Sequence, residues 1–486
     1  MATTESRPAS SLDDGPAIAE LEEAVARQRA AFLADPFPSL EERQQLLGAL
    51  AGMLMSHRTQ IQQALSSDFA VHPPLAADLI EVLGPAGRAV YAAEQLAGWM
   101  EPEPRAADPA LYVSGRAFVH PQPKGVIGNI VPWNFPFDLS VGPLIEMLAA
   151  GNRVVIKPSD YTPACAELLR EMVHATFDRD RVDVVVGGLE LAQAFTRVRW
   201  DHLLYTGSPA IGREVAKAAA EQLVPVTLEL GGKCPAIIAP DSVDAESVKQ
   251  ILATKAIKNG QMCISVDYCL VPRERLDDFA DLAAAHVRES MPGYCTSESC
   301  TGIISSRHLK RIEQLLEDAR ARGADVRPLE DAGEADRASR QLPMSLVIDP
   351  PDDLGLMREE IFGPVLPVKA YDSIEEAVQY VNGGERPLAL YVFAKDEELA
   401  DGVLQRTTSG GACVNSAAVH GALASLPFGG TGQSGSGRHH GLEGFREFSN
   451  LRGVFVRGEG DMIEAFAPPY GPAAQAVADA AFAQAG

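Results

Sequence analysis

Two residues of this chain have the types and settings to do covalent chemistry together. Cys263 closes the run Lys258-Asn259-Gly260-Gln261-Met262-Cys263, a glycine-marked turn directly after a helix-like stretch. Glu229 stands in Leu228-Glu229-Leu230-Gly231-Gly232-Lys233, near the end of an apolar strand-like run and just ahead of a glycine pair. A cysteine attacks as its thiolate, which a helix end, backbone amides or a nearby cation can favour. A carboxylic acid in apolar surroundings has its pKa raised toward the working pH, which suits a base that takes a proton from water. Each also has an ordinary reading: most cysteines are small buried hydrophobes, and glutamates are common at strand ends.

Three further segments could serve such a pair. In Val131-Pro132-Trp133-Asn134-Phe135-Pro136 two prolines restrict the backbone, so the Asn134 amide can be aimed. With the backbone N–H of Cys263 it could hold an oxyanion; a plain turn with a packed Trp133 is the simpler reading of that segment alone. Tyr205-Thr206-Gly207-Ser208-Pro209-Ala210-Ile211-Gly212 lies between a strand and a helix, where backbone N–H groups can meet a phosphate. Its Gly-x4-Gly spacing is not the usual dinucleotide fingerprint. Lys157-Pro158-Ser159-Asp160 puts a cation and a carboxylate at a strand's carboxyl end, where ribose hydroxyls can be held, or where a turn is merely solvated.

These segments need a scaffold, and the pattern predicts one. Ile18, Leu21, Val25 and Phe32 fall near helical spacing, and Ser39 with Glu42 forms a capping-box pattern ahead of Leu46, Leu47, Leu50 and Leu54. From Gly125 to Glu229 short β-like runs alternate with helical ones, the rhythm of a parallel sheet with crossover helices. A second alternating block runs from Cys234 to about Gly441, with strands at Ala236-Ile237-Ile238 and Val392-Phe393 and a helix over Leu276 to Ser290. The proline-rich stretch Glu101 to Pro123, with strand-like Leu111-Tyr112-Val113 and Ala117-Phe118-Val119, predicts a connecting arm or hairpin. Asp325 to Arg340 predicts a solvated loop.

Composition bounds the function. The 486 residues are 46% hydrophobic and 22% charged, enough for two or three lobes with large cores. A formal charge of −24 argues against nucleic acid or an anionic membrane as the main partner. Cysteines at 165, 234, 263, 269, 295, 300 and 413 show no paired CxxC spacing, which predicts a reducing compartment, and Cys295 and Cys300 lack His partners at zinc spacing. Acidic residues crowd the first thirty positions without a long apolar region, and no stretch reaches the roughly 18 apolar residues of a membrane span. The expectation is a cytoplasmic protein with no bound metal.

Taken together the motifs resemble the aldehyde dehydrogenase superfamily, over roughly residues 16 to 456. Glu360-Ile361-Phe362-Gly363-Pro364 and Pro427-Phe428-Gly429-Gly430 join those quoted above, in the family's order. Asp267-Tyr268 after the cysteine and Pro468-Pro469-Tyr470 near the end are most similar to the class 3 branch, which includes fatty, aromatic and coniferyl aldehyde enzymes. The resemblance implies an α/β fold: a Rossmann-like NAD-binding domain (1–104 and 121–230), a second α/β catalytic domain (231–441), and a small oligomerisation arm and tail (105–120 and 442–486). It implies Cys263 as nucleophile, Asn134 as oxyanion donor and Glu229 as the base that activates water against a thioester. Trp133, Lys157, Asp160, Gly207, Ser208, Ile211, Gly212, Glu360 and Phe362 correspond to cofactor contacts.

The family commonly has Glu where this chain has Asp160; a carboxylate there still disfavours the 2′-phosphate of NADP, so NAD is expected, with NADP open. The expected substrate is an aromatic or otherwise apolar aldehyde, because Ile264 to Val266 carry no cation and Trp133, Phe135, Phe137 and Phe428 could line an aromatic pocket. A medium- or long-chain aliphatic aldehyde is the alternative, a cofactor-independent thiol esterase a more distant one. A CoA-acylating relative typically lacks the general base, and a catalytically dead one would have lost Cys263 or Glu229. The resemblance also implies a homodimer.

Overall fold

The computed structural model describes residues 14–107, 112, 114–330, 338–459 and 463–485. Helices Gly15–Ala34 and Leu40–Ser56 open the described chain. The second begins as its sequence predicts: Glu42 N–H donates to Ser39 Oγ at 3.2 Å, and Ser39 N–H donates to the Glu42 carboxylate at 2.6 Å.

The region 125–230 supplies five strands of a six-stranded sheet, in the order β15-β7-β6-β3-β4-β5. These are β3 (Val126–Ile130), β4 (Arg153–Lys157), β5 (Val182–Val184), β6 (His202–Gly207), β7 (Val226–Leu230) and the short β15 (Gly435–Ser436). The first five run parallel, and β15 returns antiparallel on β7. Every residue of β3, β4 and β5 is buried, as in a parallel sheet covered on both faces. The chain steps outward from β3 through β4 to β5, then crosses back to lay β6 on the other side of β3. That reversal opens a crevice between the carboxyl ends of β3 and β6, where open α/β sheets bind ligands.

The second block builds a seven-stranded sheet in the order β10-β11-β12-β9-β8-β13-β14. Its strands are β8 (Pro235–Ile238), β9 (Tyr268–Pro272), β10 (Asp325–Pro328), β11 (Ser345–Ile348), β12 (Val365–Tyr371), β13 (Ala389–Phe393) and β14 (Gly411–Val414). All neighbours are parallel except the β10–β11 pair. Helix Leu276–Ser290 occupies the predicted span and buries Phe279, Ala280, Ala283 and Val287. A third sheet joins β1 (Glu103–Arg105), β2 (Arg116–Pro123) and β16 (Ser449–Val456), all antiparallel, and contains the predicted strand at Ala117-Phe118-Val119.

One expectation fails. Asp325 to Arg340 was expected as loop, yet Asp325–Pro328 is β10, pairing with β11 at the sheet edge. Charged residues such as Asp325 and Arg327 suit an edge strand, whose outer side must not invite further pairing, so composition alone misled. Residues 331–337, and Leu111 and Val113 of the expected arm strand, lie outside the described residues.

Candidate active site

Cys263 sits on a turn that few sequences could make. Helix Ala245–Ala256 ends, and Lys258, Asn259 and Gly260 take φ of 51°, 53° and 76° in succession. Left-handed backbone at two non-glycine residues needs outside support. Lys258 Nζ pairs with Glu81 Oε1 at 2.8 Å, fully buried and over the rings of Phe69 and Phe135. Asn259 Nδ2 donates to Leu342 O, while Gln261 donates to Lys258 O and Gly302 O and accepts from Ile304 N–H. At Gly260 a Cβ would stand 2.3 Å from Gly363 O, so only glycine lets this turn press against the Glu360–Pro364 segment.

The other motifs are tied to the same spot. Asn134, buried in the loop after β3, donates from Nδ2 to Gln261 O at 3.2 Å, which leaves the second N–H of the amide beside the cysteine's turn. Lys233 pairs with Asp267 and donates to Leu356 O and Glu359 O, and Asp267 Oδ1 accepts from Ile361 N–H at 3.0 Å. Glu229, next to last in β7, Cys263 and Asn134 line one cleft of about 230 Å³ with Trp133, Gly207, Ser208, Glu360 and Phe362.

The electrostatics differ from the activation expected for the cysteine. Burial, with Glu360 and Glu229 adding to it, pushes the Cys263 thiol up to about 12 rather than down. The turn offers the sulfur carboxylate neighbours instead of a cation, so the resting group is a thiol and must give its proton to a base. Burial also raises Glu229 well above the ordinary carboxylate range, Arg438 opposing it, and neither carboxyl oxygen has a hydrogen-bond partner among the described residues. Glu360 is pushed up to about 8, by burial first and then by Asp267.

The expected cofactor residues fall into two groups. Trp133, Gly207, Ser208, Glu360 and Phe362 line the cleft; Trp133 meets the Phe362 ring edge-on at 5.2 Å. Lys157, Asp160, Ile211 and Gly212 lie outside that lining. Lys157 ends β4, buried and donating to Pro158 O, with exposed Asp160 just beyond it. Ser208 caps helix Pro209–Glu221, and Ile211 is exposed on its first turn. Gly212 is buried where a Cβ would strike Leu230, so it allows the helix to approach β7 closely.

A second cavity, of about 310 Å³, opens on the other side of Cys263. Leu79, Ile80, Phe135, Met262, Ile264 and Phe428 make it apolar, while Arg88, Asp138, His439 and His440 also line it. Of the four aromatic residues expected in a substrate pocket, Phe135 and Phe428 are here and Trp133 is in the cleft. Phe137 is not: it is fully buried with Leu47, Leu50 and Leu144 in the core behind the loop. Sequence reading also missed His308 and Arg311 in the cleft, both on the unread helix Ser306–Ala321, because nothing in their local spacing marks them.

Comparison with known proteins places this arrangement. A model described as the aldehyde dehydrogenase family matches residues 16–454. A protein of Caulobacter vibrioides named "Probable coniferyl aldehyde dehydrogenase" is 43% identical, covering 93% of this chain and 95% of its own. One of Canis lupus familiaris named "Aldehyde dehydrogenase, dimeric NADP-preferring" is 34% identical over 90% of this chain and 95% of its own. The solved structure of Mycobacterium tuberculosis aldehyde dehydrogenase complexed with NAD+ superposes with a TM-score of 0.80 at 30% identity, covering 90% of each chain.

Proposed function

The chain belongs to the aldehyde dehydrogenase family, and from that membership we propose that it oxidises an aromatic, coniferyl-type aldehyde to the carboxylic acid with NAD(P)+. The observation that carries the reading is the meeting of Cys263, Glu229 and Asn134 in one cleft that continues past the sulfur into an apolar cavity. An aldehyde held there would have its carbonyl at the thiol and its ring among Phe135, Phe428 and Met262.

In this reading the Cys263 thiol loses its proton to the Glu229 carboxylate as sulfur bonds to the aldehyde carbon. The new oxyanion is met by Asn134 Nδ2 and the Cys263 N–H. The cleft fits a nicotinamide cofactor: it flanks the sheet's crevice, exposes a helix N-terminus at Ser208, and holds the unpartnered carboxyl of Glu229 between aromatic and carboxylate walls. Trp133, Glu360, Phe362, Gly207 and Ser208 would hold it, with Lys157, Asp160 and Ile211 farther out. When bound, NAD(P)+ supplies the acceptor for the aldehyde's hydride. Glu229 must first pass the thiol's proton to solvent; as a carboxylate it then takes a proton from water, the water oxygen attacks the Cys263 thioester, and the acid leaves as Glu229 returns that proton to the sulfur and the thiol reforms.

Asp160 favours NAD over NADP in this reading, through repulsion of a 2′-phosphate. For the domain division at 1–104 with 121–230, 231–441, and 105–120 with 442–486, the three separate sheets are the support, although β15 crosses to the first sheet and the ends of β1 and β2 overrun the bounds. A homodimer is supported by the relative named dimeric, and a reducing, cytoplasmic location by seven cysteines that are all free. No described helix is long and apolar enough to cross a membrane. A kcat/KM panel at fixed NAD tests the substrate class. Benzaldehyde- and cinnamaldehyde-type compounds should exceed succinate semialdehyde and acetaldehyde by at least about tenfold, from the apolar area a ring buries. A preference for the semialdehyde overturns the reading.

A further inference from the structure

The apolar cavity has one feature that the chemistry at Cys263 does not use. Arg88, on helix Gly84–Met100, and Asp138, which opens helix Asp138–Ala149, form an ion pair in its wall. The Arg88 side chain retains 8% of its accessible surface and that of Asp138 19%. Arg88 takes Oδ1 of Asp138 with Nη2 and donates from Nη1 to His440 Nε2 at 2.6 Å; its Nε has no partner. Because a guanidinium only donates, His440 must accept there, and burial with the nearby Arg88 charge holds its ring neutral.

A buried ion pair is a poor device for stability, since apolar residues of the same volume often do as well or better. Recognition is the more economical reason for one among Leu79, Ile80, Phe135 and Phe428. The pair's charges cancel, so a carboxylate tail would meet Asp138 as well as Arg88. A neutral hydroxyl suits both members: it donates to the carboxylate and accepts from the guanidinium. We propose that the Arg88–Asp138 pair is a specificity-determining element that reads a hydroxyl on the end of the aromatic aldehyde remote from Cys263. This rests on the coniferyl-type reading above, whose ring already carries a phenol, and it adds which residues read that hydroxyl.

The test compares kcat/KM for 4-hydroxycinnamaldehyde, 4-methoxycinnamaldehyde and cinnamaldehyde, at a pH where the phenol keeps its proton. A methoxy group accepts but cannot donate. The wild type should prefer hydroxyl to methoxy by about 10- to 100-fold, the range for hydrogen bonds to charged groups and for sites built around a substrate hydroxyl. Asp138→Asn, whose amide oxygen still accepts but carries no charge, should lower that ratio severalfold; taking the ratio within each protein cancels any general loss of activity. Should Asp138→Asn fail to fold, Asp138→Ala, which removes the acceptor altogether, must bring the ratio close to one instead. A wild-type ratio near one, or a ratio unmoved by the variants, overturns the role of the pair. A wild type inactive on all three compounds but active on aliphatic aldehydes refutes the aromatic reading itself, a separate result.

Discussion

The two cavities that meet at Cys263 are built in opposite ways. The cleft of about 230 Å³ takes much of its lining from contiguous motifs at strand ends, with His308 and Arg311 as exceptions: Trp133 and Asn134 after β3, Gly207 and Ser208 where β6 ends, Glu229 and Leu230 in β7. The cavity of about 310 Å³ takes Leu79, Arg88, Asp138, Ile257, Ala418 and His440 from helices and loops far apart in the chain. One side therefore has a local sequence signature, and the other exists only once the fold brings its wall together. In the proposed reading chemistry is concentrated on the first side and substrate choice on the second, which variants can separate.

The largest effect belongs to Cys263, one of the residues both cavities share. Cys263→Ala should abolish aldehyde oxidation, by roughly 10⁴-fold or more as for other catalytic nucleophiles, while fold and NAD binding persist. Dehydrogenase activity above background in that variant would falsify its role. Glu229→Gln alters the cleft alone. Both the burst of reduced cofactor and steady-state turnover should fall, by roughly 10²- to 10⁴-fold, since thiol deprotonation and hydrolysis both use this base. A full burst followed by a stall would confine Glu229 to the hydrolysis that follows hydride transfer.

The same variant has a stability signature. Glu229 has its native pKa raised by burial, so between its ordinary value and the raised one the native state binds more protons than the unfolded state. Wild-type stability attributable to this residue is thus full at low pH and falls as pH rises through that window. Glu229→Gln removes the titration, so its Tm should exceed that of the wild type near pH 8, by a margin that shrinks toward pH 4. Equal margins at both pH values would mean that the carboxyl is not held unpaired.

What the sequence made legible follows the same division. The capping box at Ser39, the rhythm from Gly125 to Glu229 and the helix Leu276–Ser290 depend on neighbours close in sequence, and all appear in the fold. Cys263, Glu229 and Asn134 could be singled out because a glycine, a strand end or a proline stands beside each. That they share a cleft depends on long-range ties, such as Lys233 to Asp267, that no spacing reveals. Arg88 was invisible for a related reason: a search for a cation just downstream of the cysteine cannot find one contributed by a helix near residue 88. Phe137 looked equivalent to Phe135, yet the turn points one ring into the core and the other into the cavity.

Phe428 sharpens the contrast because it lines both cavities. Its ring packs against His420, His439 and His440, with centroids at 6.2, 5.1 and 5.5 Å. Burying an aromatic substrate against it is worth roughly 1.5 to 3 kcal/mol, so Phe428→Ala should lower kcat/KM for cinnamaldehyde by about 10- to 100-fold. Acetaldehyde, too small to reach the wall, should lose much less. Equal losses on the two substrates would make Phe428 a support for the histidine cluster rather than part of the substrate wall.

The smallest effect is expected farthest from Cys263, at the outer end of the cofactor side. Asp160 is exposed beyond the end of β4, with β6 and β3 between that strand and β7 in the sheet's order, and apart from the cleft around the sulfur, so its substitution should leave the covalent chemistry alone. If its carboxylate stands near the cofactor's 2′-position, its charge repels a 2′-phosphate through solvent that screens the interaction, a discrimination of about 1 kcal/mol. Asp160→Ala should therefore raise the ratio of kcat/KM with NADP to that with NAD by roughly fivefold, with the hydroxyl-to-methoxy preference of the apolar cavity unchanged. Higher ionic strength should shrink the wild-type discrimination and leave the variant's nearly constant. A cofactor ratio that does not move would place Asp160 away from the 2′-position, and a shift in the substrate preference would show that the two sides of Cys263 are coupled.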